Sequence, residues 1–396
     1  MAYINFKEEV YAAKEQLKHR EDNNEAIFKE ILRDKNIIEV IPNEKYSFRT
    51  FEEKVFNNER TQDEGKFIEL KDLNIVGTIF KGCKFYNIKF KNCTFVACRF
   101  KECDFGGGGV IFENCSFLLE KIKKEPSLNK KDNLSCEFEN CKLYCKFLSS
   151  DITYLIFKNC SFKNTSFELS DMSNAIIIDS FMKKTNFADV DLSGVKIVNT
   201  YLVDLDFTDK VKTKVDEKTF IDKVTPREKT KSEYEGLYMI YETIADKFKE
   251  NNLKNNFGEY YYLCRNMQRK SLDKIRTKIT SFIYFITCGY GERMLHPLIT
   301  SLIIVLIFAL LYILIGLDVE GEIITYFMGR GLPENFFQFL RHFNESLNLS
   351  FGIFVGLGMI TAGPTPMAYM LSNIEMALGV IMMGIGIGTI TRKLVR

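Results

Sequence analysis

From Phe80 onward a phenylalanine returns every fifth residue, at Phe80, Phe85, Phe90, Phe95, Phe100 and Phe105. A second run holds the same spacing through Ile152, Phe157, Phe162, Phe167, Met172, Ile177, Met182, Phe187, Leu192, Ile197, Leu202 and Phe207. Two residues before these stands a mostly small one: Cys83, Cys93, Cys98 and Cys103 in the first run, and Cys160, Thr165, Ser170, Ala175 and Ser180 at the start of the second. An α-helix repeats its faces every 3.6 residues and a strand every 2, so neither can keep a period of five on one side. Such self-similarity is the mark of a repeat architecture. The ladder breaks at 106–109, which shifts the frame by two before Phe112 and Phe117 resume it. It breaks again at 120–133, a basic, polar insertion before Phe138 and Leu143.

This pattern resembles the pentapeptide-repeat family. The resemblance implies a right-handed quadrilateral β-helix over 66–210, with four repeats per coil. It also implies that the large residue and the small one before it point inward while the other three face water. About seven coils at the ~4.8 Å strand spacing make a rod of roughly 34 Å. Solenoids of this kind offer faces and need capped ends. Cys83, Cys93, Cys98, Cys103, Cys115, Cys136, Cys141, Cys145 and Cys160 then fill the small slot, where free cysteine behaves as a small hydrophobe. Metal or redox chemistry has less support. Disulfides are rare in cytosolic domains, and the three histidines (His19, His296, His342) lie far apart. No glycine-rich phosphate loop or nucleophile motif stands in context, so no enzyme, cofactor or metal is expected. A net charge of +2 is too small to argue for a nucleic-acid partner.

The C-terminal hundred residues obey a different constraint. Residues 298–317 carry no charge, and a helix of that length covers the ~30 Å hydrocarbon core of a bilayer. A second apolar stretch, 367–390, holds one acid, Glu375, and is closed by Arg392, Lys393 and Arg396. Between them, 346–360 is apolar but short, and the breakers Gly363, Pro364 and Pro366 follow it. Such a segment suits a re-entrant helix that enters the membrane and returns. The order resembles the two-transmembrane pore module of the potassium-channel superfamily. The fold class expected is therefore multidomain: the β-helix plus an all-α membrane pore domain of two transmembrane helices and a re-entrant pore helix.

The resemblance implies a filter of backbone carbonyls between pore helix and inner helix, with the family's T-x-G-Y-G-D pattern ahead of a proline. If Pro364 takes that proline's place, the filter falls on Gly356, Leu357, Gly358, Met359, Ile360 and Thr361. Only the first of the pattern's glycines is present. Carbonyls aimed at the ion need positive-φ backbone, which glycine adopts freely and a β-branched isoleucine does not. Potassium selectivity therefore does not carry over. Glu375 is the one acid in a span, and such residues mark function by default; it could contact ions or brace the pore helix. Gly379, Gly384 and Gly386 suit either inner-helix bending at a gate or close helix packing. Asn348 and Ser350 are candidates to cap or brace the pore helix. Gly289-Tyr290-Gly291 spells a filter tripeptide, but it precedes the first membrane helix and reads as a turn at the interface.

The remaining segments are linkers and caps. Residues 1–65 form a helical or mixed cap, with Phe6, Val10, Ala13, Leu17, Phe28 and Ile31 at helical spacing. Residues 226–275 read as a helical hairpin that resembles one tetratricopeptide-like unit, and a single unit must pack on the rod's end or on another subunit. Residues 279–296 read as an interfacial helix and a turn leading into the pore domain, 297–396. The first ten residues lack the apolar core of a signal peptide. Basic residues gather before the first span and after the second. These features predict a multi-pass protein of the bacterial inner membrane with both termini cytoplasmic. The function expected is a homotetrameric cation channel passing potassium or sodium through a non-standard filter, in contact with membrane lipid. Its cytosolic pentapeptide-repeat domain would serve regulation or docking of a cytosolic protein partner. The alternative is a non-conducting, membrane-tethered scaffold that presents the β-helix to a partner.

Overall fold

The computed structural model describes residues 4–35, 38, 40–57, 67–118, 135–327, 329, 332–357 and 362–394. Two units divide the chain, Met1–Ser271 and Leu272–Arg396.

The first unit is built on stacked phenylalanines. Eight parallel strands, from Thr50–Glu52 through Ile79–Lys81, Arg99–Lys101 and Glu137–Glu139 to Phe220–Ile221, lie one above another on one face. They mark out a β-solenoid of about seven turns. Its register sets Phe80 beside Phe100, Phe100 beside Phe138 and Phe138 beside Phe157. Ring centroids in this column are 4.9, 4.5 and 5.2 Å apart. A second column joins Phe90, Phe112, Phe147, Phe167 and Phe187. Each aromatic pair adds roughly 0.5–1.5 kcal/mol beyond its buried area. The frame shift at 106–109 is absorbed there, because Phe112 still lands on Phe90 and Phe117 on Phe95. The 120–133 insertion lies outside the described residues.

The small slot holds more than volume. Cys98 Sγ donates to the Ile75 carbonyl (3.2 Å), Cys103 to Phe80 (3.3 Å), Cys141 to Phe100 (3.2 Å) and Cys160 to Phe138 (3.3 Å). Ser170 and Thr165 make the equivalent bonds to Phe147 and Leu143. These six side chains thus each satisfy a carbonyl of the coil before, a bond that Cys, Ser and Thr can all make. Before the slot, Asn92, Asn114, Asn140 and Asn159 turn the corner at positive φ, where asparagine is tolerated better than most residues.

The strands outrun the 66–210 read from the repeat. Phe51 stacks on Phe80 and Phe56 on Phe85, so the coil begins at Thr50. Helix α1 (Phe6–Arg33) runs along the solenoid's flank. Near its start, Phe6 meets Phe220 and Tyr260. In the middle, the buried Arg20 donates to the carbonyls of Tyr154 (3.0 Å) and Asn174 (2.8 Å). Further on, Glu25 pairs with Arg99 (2.7 Å), and Ile27, Phe28 and Ile31 pack on Val76, Val96 and Ala97. Outward positions that the repeat reserves for water are apolar here, and Ile176, Ile178 and Val198 are buried in the cluster that holds Ala13 and Leu17. Helices α2 (Lys231–Glu250) and α3 (Lys254–Ser271) close the far end. The Tyr260 hydroxyl accepts from the Ile221 amide and donates to its carbonyl, both at 2.9 Å. Tyr241 accepts from Val224 (2.8 Å).

The second unit comprises α4 (Ile275–Cys288), a tight turn at Gly289–Gly291, α5 (Leu295–Ile315), α6 (Phe336–Val355) and α7 (Tyr369–Leu394). The strand Leu317–Val319 pairs antiparallel with both Glu322–Ile324 and Ala362–Pro364. By length and composition α5 and the stretch Pro366–Lys393 could each cross a membrane. α5 stops at Ile315 because Gly316 adopts a φ of 136°. The apolar segment read as 346–360 is instead the longer α6. Its start is fixed by Asn335, whose side chain accepts from the Gln338 amide (2.9 Å), and its end by Gly356 at a φ of 74°. These are ordinary N-cap and C′ positions. α6 runs antiparallel to α5, since Ser346 Oγ bonds the Ala309 carbonyl and Ser350 Oγ that of Val305 (2.9 Å). It runs in the same direction as α7, meeting Glu375 at Ser350 and Gly379 at Phe354.

Candidate functional site

The residues singled out in the sequence cluster around α6. Gly356 caps the helix, and the exposed Leu357 donates its amide to the Gly352 carbonyl (3.0 Å). Gly358, Met359, Ile360 and Thr361 lie outside the described residues. The chain is next described at Ala362–Pro364, pinned beside Leu317–Val319.

Glu375 is fully buried. It accepts from the Tyr312 hydroxyl of α5 (2.8 Å) and bonds Ser350 Oγ of α6. One carboxyl therefore ties three helices at one level. Of the two roles open in the sequence, the geometry of this single chain is that of bracing. Gly379 packs closely on α6. A Cβ built there would stand 2.0 Å from the Phe354 carbonyl oxygen, so the α6–α7 contact depends on its bare backbone. Gly384 has no atom within 4 Å of such a Cβ, and at Gly386 the nearest is Pro297 Cβ at 3.9 Å. These two carry no close packing within one chain. Ser350 braces, as one sequence reading had it, whereas Asn348 is exposed.

One centre escaped the sequence reading. Glu292, in the turn before α5, is fully buried and pairs with Arg392 (3.0 Å) and Lys393 (3.4 Å) at the end of α7. Gly291 sits at a φ of 78°, and a Cβ there would lie 3.0 Å from the Arg392 guanidinium. Gly289, also at positive φ, ends α4. The Gly-Tyr-Gly-Glu-Arg run is thus a clamp on the last turn of α7. The signal was an acid following a pair of glycines, Gly289 and Gly291, but its partners lie a hundred residues away.

In the solenoid, burial holds the thiols of Cys136, Cys141 and Cys145 well above the usual range, so these thiols stay protonated and inert at neutral pH.

Comparison with known proteins bears on the solenoid. Residues 80–118 match the profile of pentapeptide repeats (9 copies). No curated protein matches the chain. Among solved structures, it is similar to HetL, a pentapeptide repeat protein involved in heterocyst differentiation regulation from the cyanobacterium Nostoc sp. strain PCC 7120. Identity is 10% and the TM-score 0.21, over 40% of this chain and 63% of that one, less than two thirds of HetL's length. It is also similar to QnrB1, a plasmid-mediated fluoroquinolone resistance protein, with 14% identity and a TM-score of 0.17 over 43% of this chain and 91% of that one. The repeat match and the parallel Phe-on-Phe ladders together establish that the chain carries a pentapeptide-repeat domain folded as a β-solenoid.

Proposed function

We propose that the second unit is the subunit of a membrane pore that passes potassium or sodium through a non-standard filter near 356–361. The pentapeptide-repeat domain serves regulation or partner docking in the cytosol. One observation carries this reading: α6 and α7 are consecutive, in contact, and run the same way. A chain that descends along α6 must climb back to the level of Leu317 before α7 can begin. A descent and return between two membrane helices is the layout of a re-entrant pore segment, tolerated at membrane depth only where protein or a water-filled path surrounds it. Two spans cannot enclose a path by themselves, so the pore is formed by several copies, four on this reading, in a bacterial inner membrane. The bond pattern of Glu375 supports a bracing role behind the ion path.

Reconstitution of the purified protein in liposomes, with potassium, sodium and chloride fluxes measured against ionophore controls, tests the reading. Cation flux is expected, and Met359→Ala with Ile360→Gly should change the ion ratio. An intact oligomer silent to all three ions would overturn the channel and leave the tethered scaffold.

A further inference from the structure

α6 buries one face, His342, Ser346, Leu349, Ser350, Ile353 and Phe354. At ~100° per residue, Arg341, Asn344, Asn348 and Phe351 fall on the opposite side, and all four are exposed. The depth of this stripe is fixed by its neighbours. Ser346 and Ser350 bond the carbonyls of Ala309 and Val305, and Val305 is the middle residue of α5, Leu295–Ile315. Asn348 therefore stands level with the centre of a candidate membrane span.

A second amide lies at the same level. Glu375 meets Ser350 and Gly379 meets Phe354, a constant offset that sets Asn373 beside the level of Asn348. Asn373 is also exposed. It lies ~160° around α7 from Glu375, the residue that faces α6. Within one chain, then, the two amides point away from each other and cannot pair. An amide facing hydrocarbon without a partner costs several kcal/mol, and asparagines in membrane helices hydrogen-bond across to other helices.

We infer that Asn348 on α6 of one copy meets Asn373 on α7 of the next, so that the exposed stripe of α6 and the Asn373 side of α7 form the contact between copies of this chain. Because different residues meet across it, the contact is heterologous, and a heterologous contact that closes builds a ring. The inference rests on the membrane reading of the second unit and deepens it by naming the surfaces that assemble the pore.

The test uses the full chain in its native membrane with Cys288→Ser as background. Mild oxidation of Asn348→Cys combined with Asn373→Cys should give a ladder of covalent multimers on a non-reducing gel. Either cysteine alone should give none. Asn348→Leu should weaken assembly on the order of tenfold, read as mass in detergent by light scattering, with helix content unchanged by circular dichroism. A double-cysteine protein that stays monomeric, or an Asn348→Leu protein that assembles like the parent, overturns the inference. Flux without a ladder would leave the pore and remove this interface. A ladder without flux would do the reverse.

Discussion

Replacing Glu292 by glutamine keeps the shape of the turn before α5 and removes its charge. The carboxylate is fully buried, and Lys393, a cation paired with it, is itself only 6% exposed. Arg392 is 42% exposed and can turn to solvent. Breaking a buried ion pair costs about 3–5 kcal/mol when one charge is left behind. Since water can relieve one of the two cations here, the expected loss is about 3 kcal/mol, near the lower end of that range. Lys393→Met should cost about 2 kcal/mol, because Glu292 retains Arg392. The double variant should lose less than the two together, with a coupling of about 1.5 kcal/mol. The sequence contains no tryptophan, so Phe285→Trp, whose ring lies 6.2 Å from that of Tyr290, reports this region alone. Its fluorescence through a denaturing-detergent titration gives the four free energies of the cycle. Raising salt should change the coupling little, because buried charges are weakly screened. Additive losses, or a Glu292→Gln cost under about 1 kcal/mol, would refute the clamp, since a surface pair is worth no more than about that.

Three further outcomes follow from contacts already described. Gly379→Ala should destabilise the helical unit by about 1–3 kcal/mol, because its methyl collides with the Phe354 carbonyl. Gly384→Ala, with open space around it, should cost nothing in a monomeric micelle, and the same fluorescence titration compares them. Glu375→Leu strands the Tyr312 hydroxyl and should cost about 1–3 kcal/mol, whereas Glu375→Gln keeps an acceptor and should cost less; equal losses would contradict the brace. In the first unit, burial alone would raise the Asp209 carboxyl, but Lys247 at 2.9 Å and Thr213 outweigh it and hold it down at about 2, against an ordinary 3.8. A folded value below the unfolded one contributes stability above pH ~4 that is lost as the pH falls toward 2. Acid unfolding of the solenoid should show this slope, and Lys247→Met should flatten it.

The five-residue period was legible because the inward positions of a coil leave few choices: Phe80, Phe100 and Phe138 must occupy the same place in successive turns. Phe51 and Phe56 carried the same spacing, but too briefly to stand out as a repeat. The helical spacing of α1 was legible, but its place along the solenoid's flank was hidden for a different reason. Val76, Val96, Ile176 and Val198 occupy outward slots, and apolar residues there follow no period. Their meaning appears only when coils far apart in sequence are lined up beneath one helix. Glu292 and Arg392 are likewise a hundred residues apart. No local pattern links them, and only the antiparallel course of α5 and α7 brings them together. The ends of α6 were in principle readable, from Asn335 as a cap and Gly356 as a stop, but the run of apolar residues drew attention away from the phenylalanine-rich turns at its start.

The flanking course of α1 also governs how the chain is made. Translation delivers this helix before the solenoid, while the coil that receives Phe6 is completed only at Phe220, more than two hundred residues later. An emerging α1 therefore waits, its apolar stripe unmatched, until the solenoid has wound past its whole length. Stacked repeats ordinarily communicate only with their nearest neighbours, so that one end can fray while the other holds. A rigid bar fastened at Phe220, Tyr154, Arg99 and Val76 abolishes that independence. Loosening any coil beneath it loosens the grip on all the others. The rod should then melt in a single transition, and its folding rate should be set by the late, long-range contacts with α1.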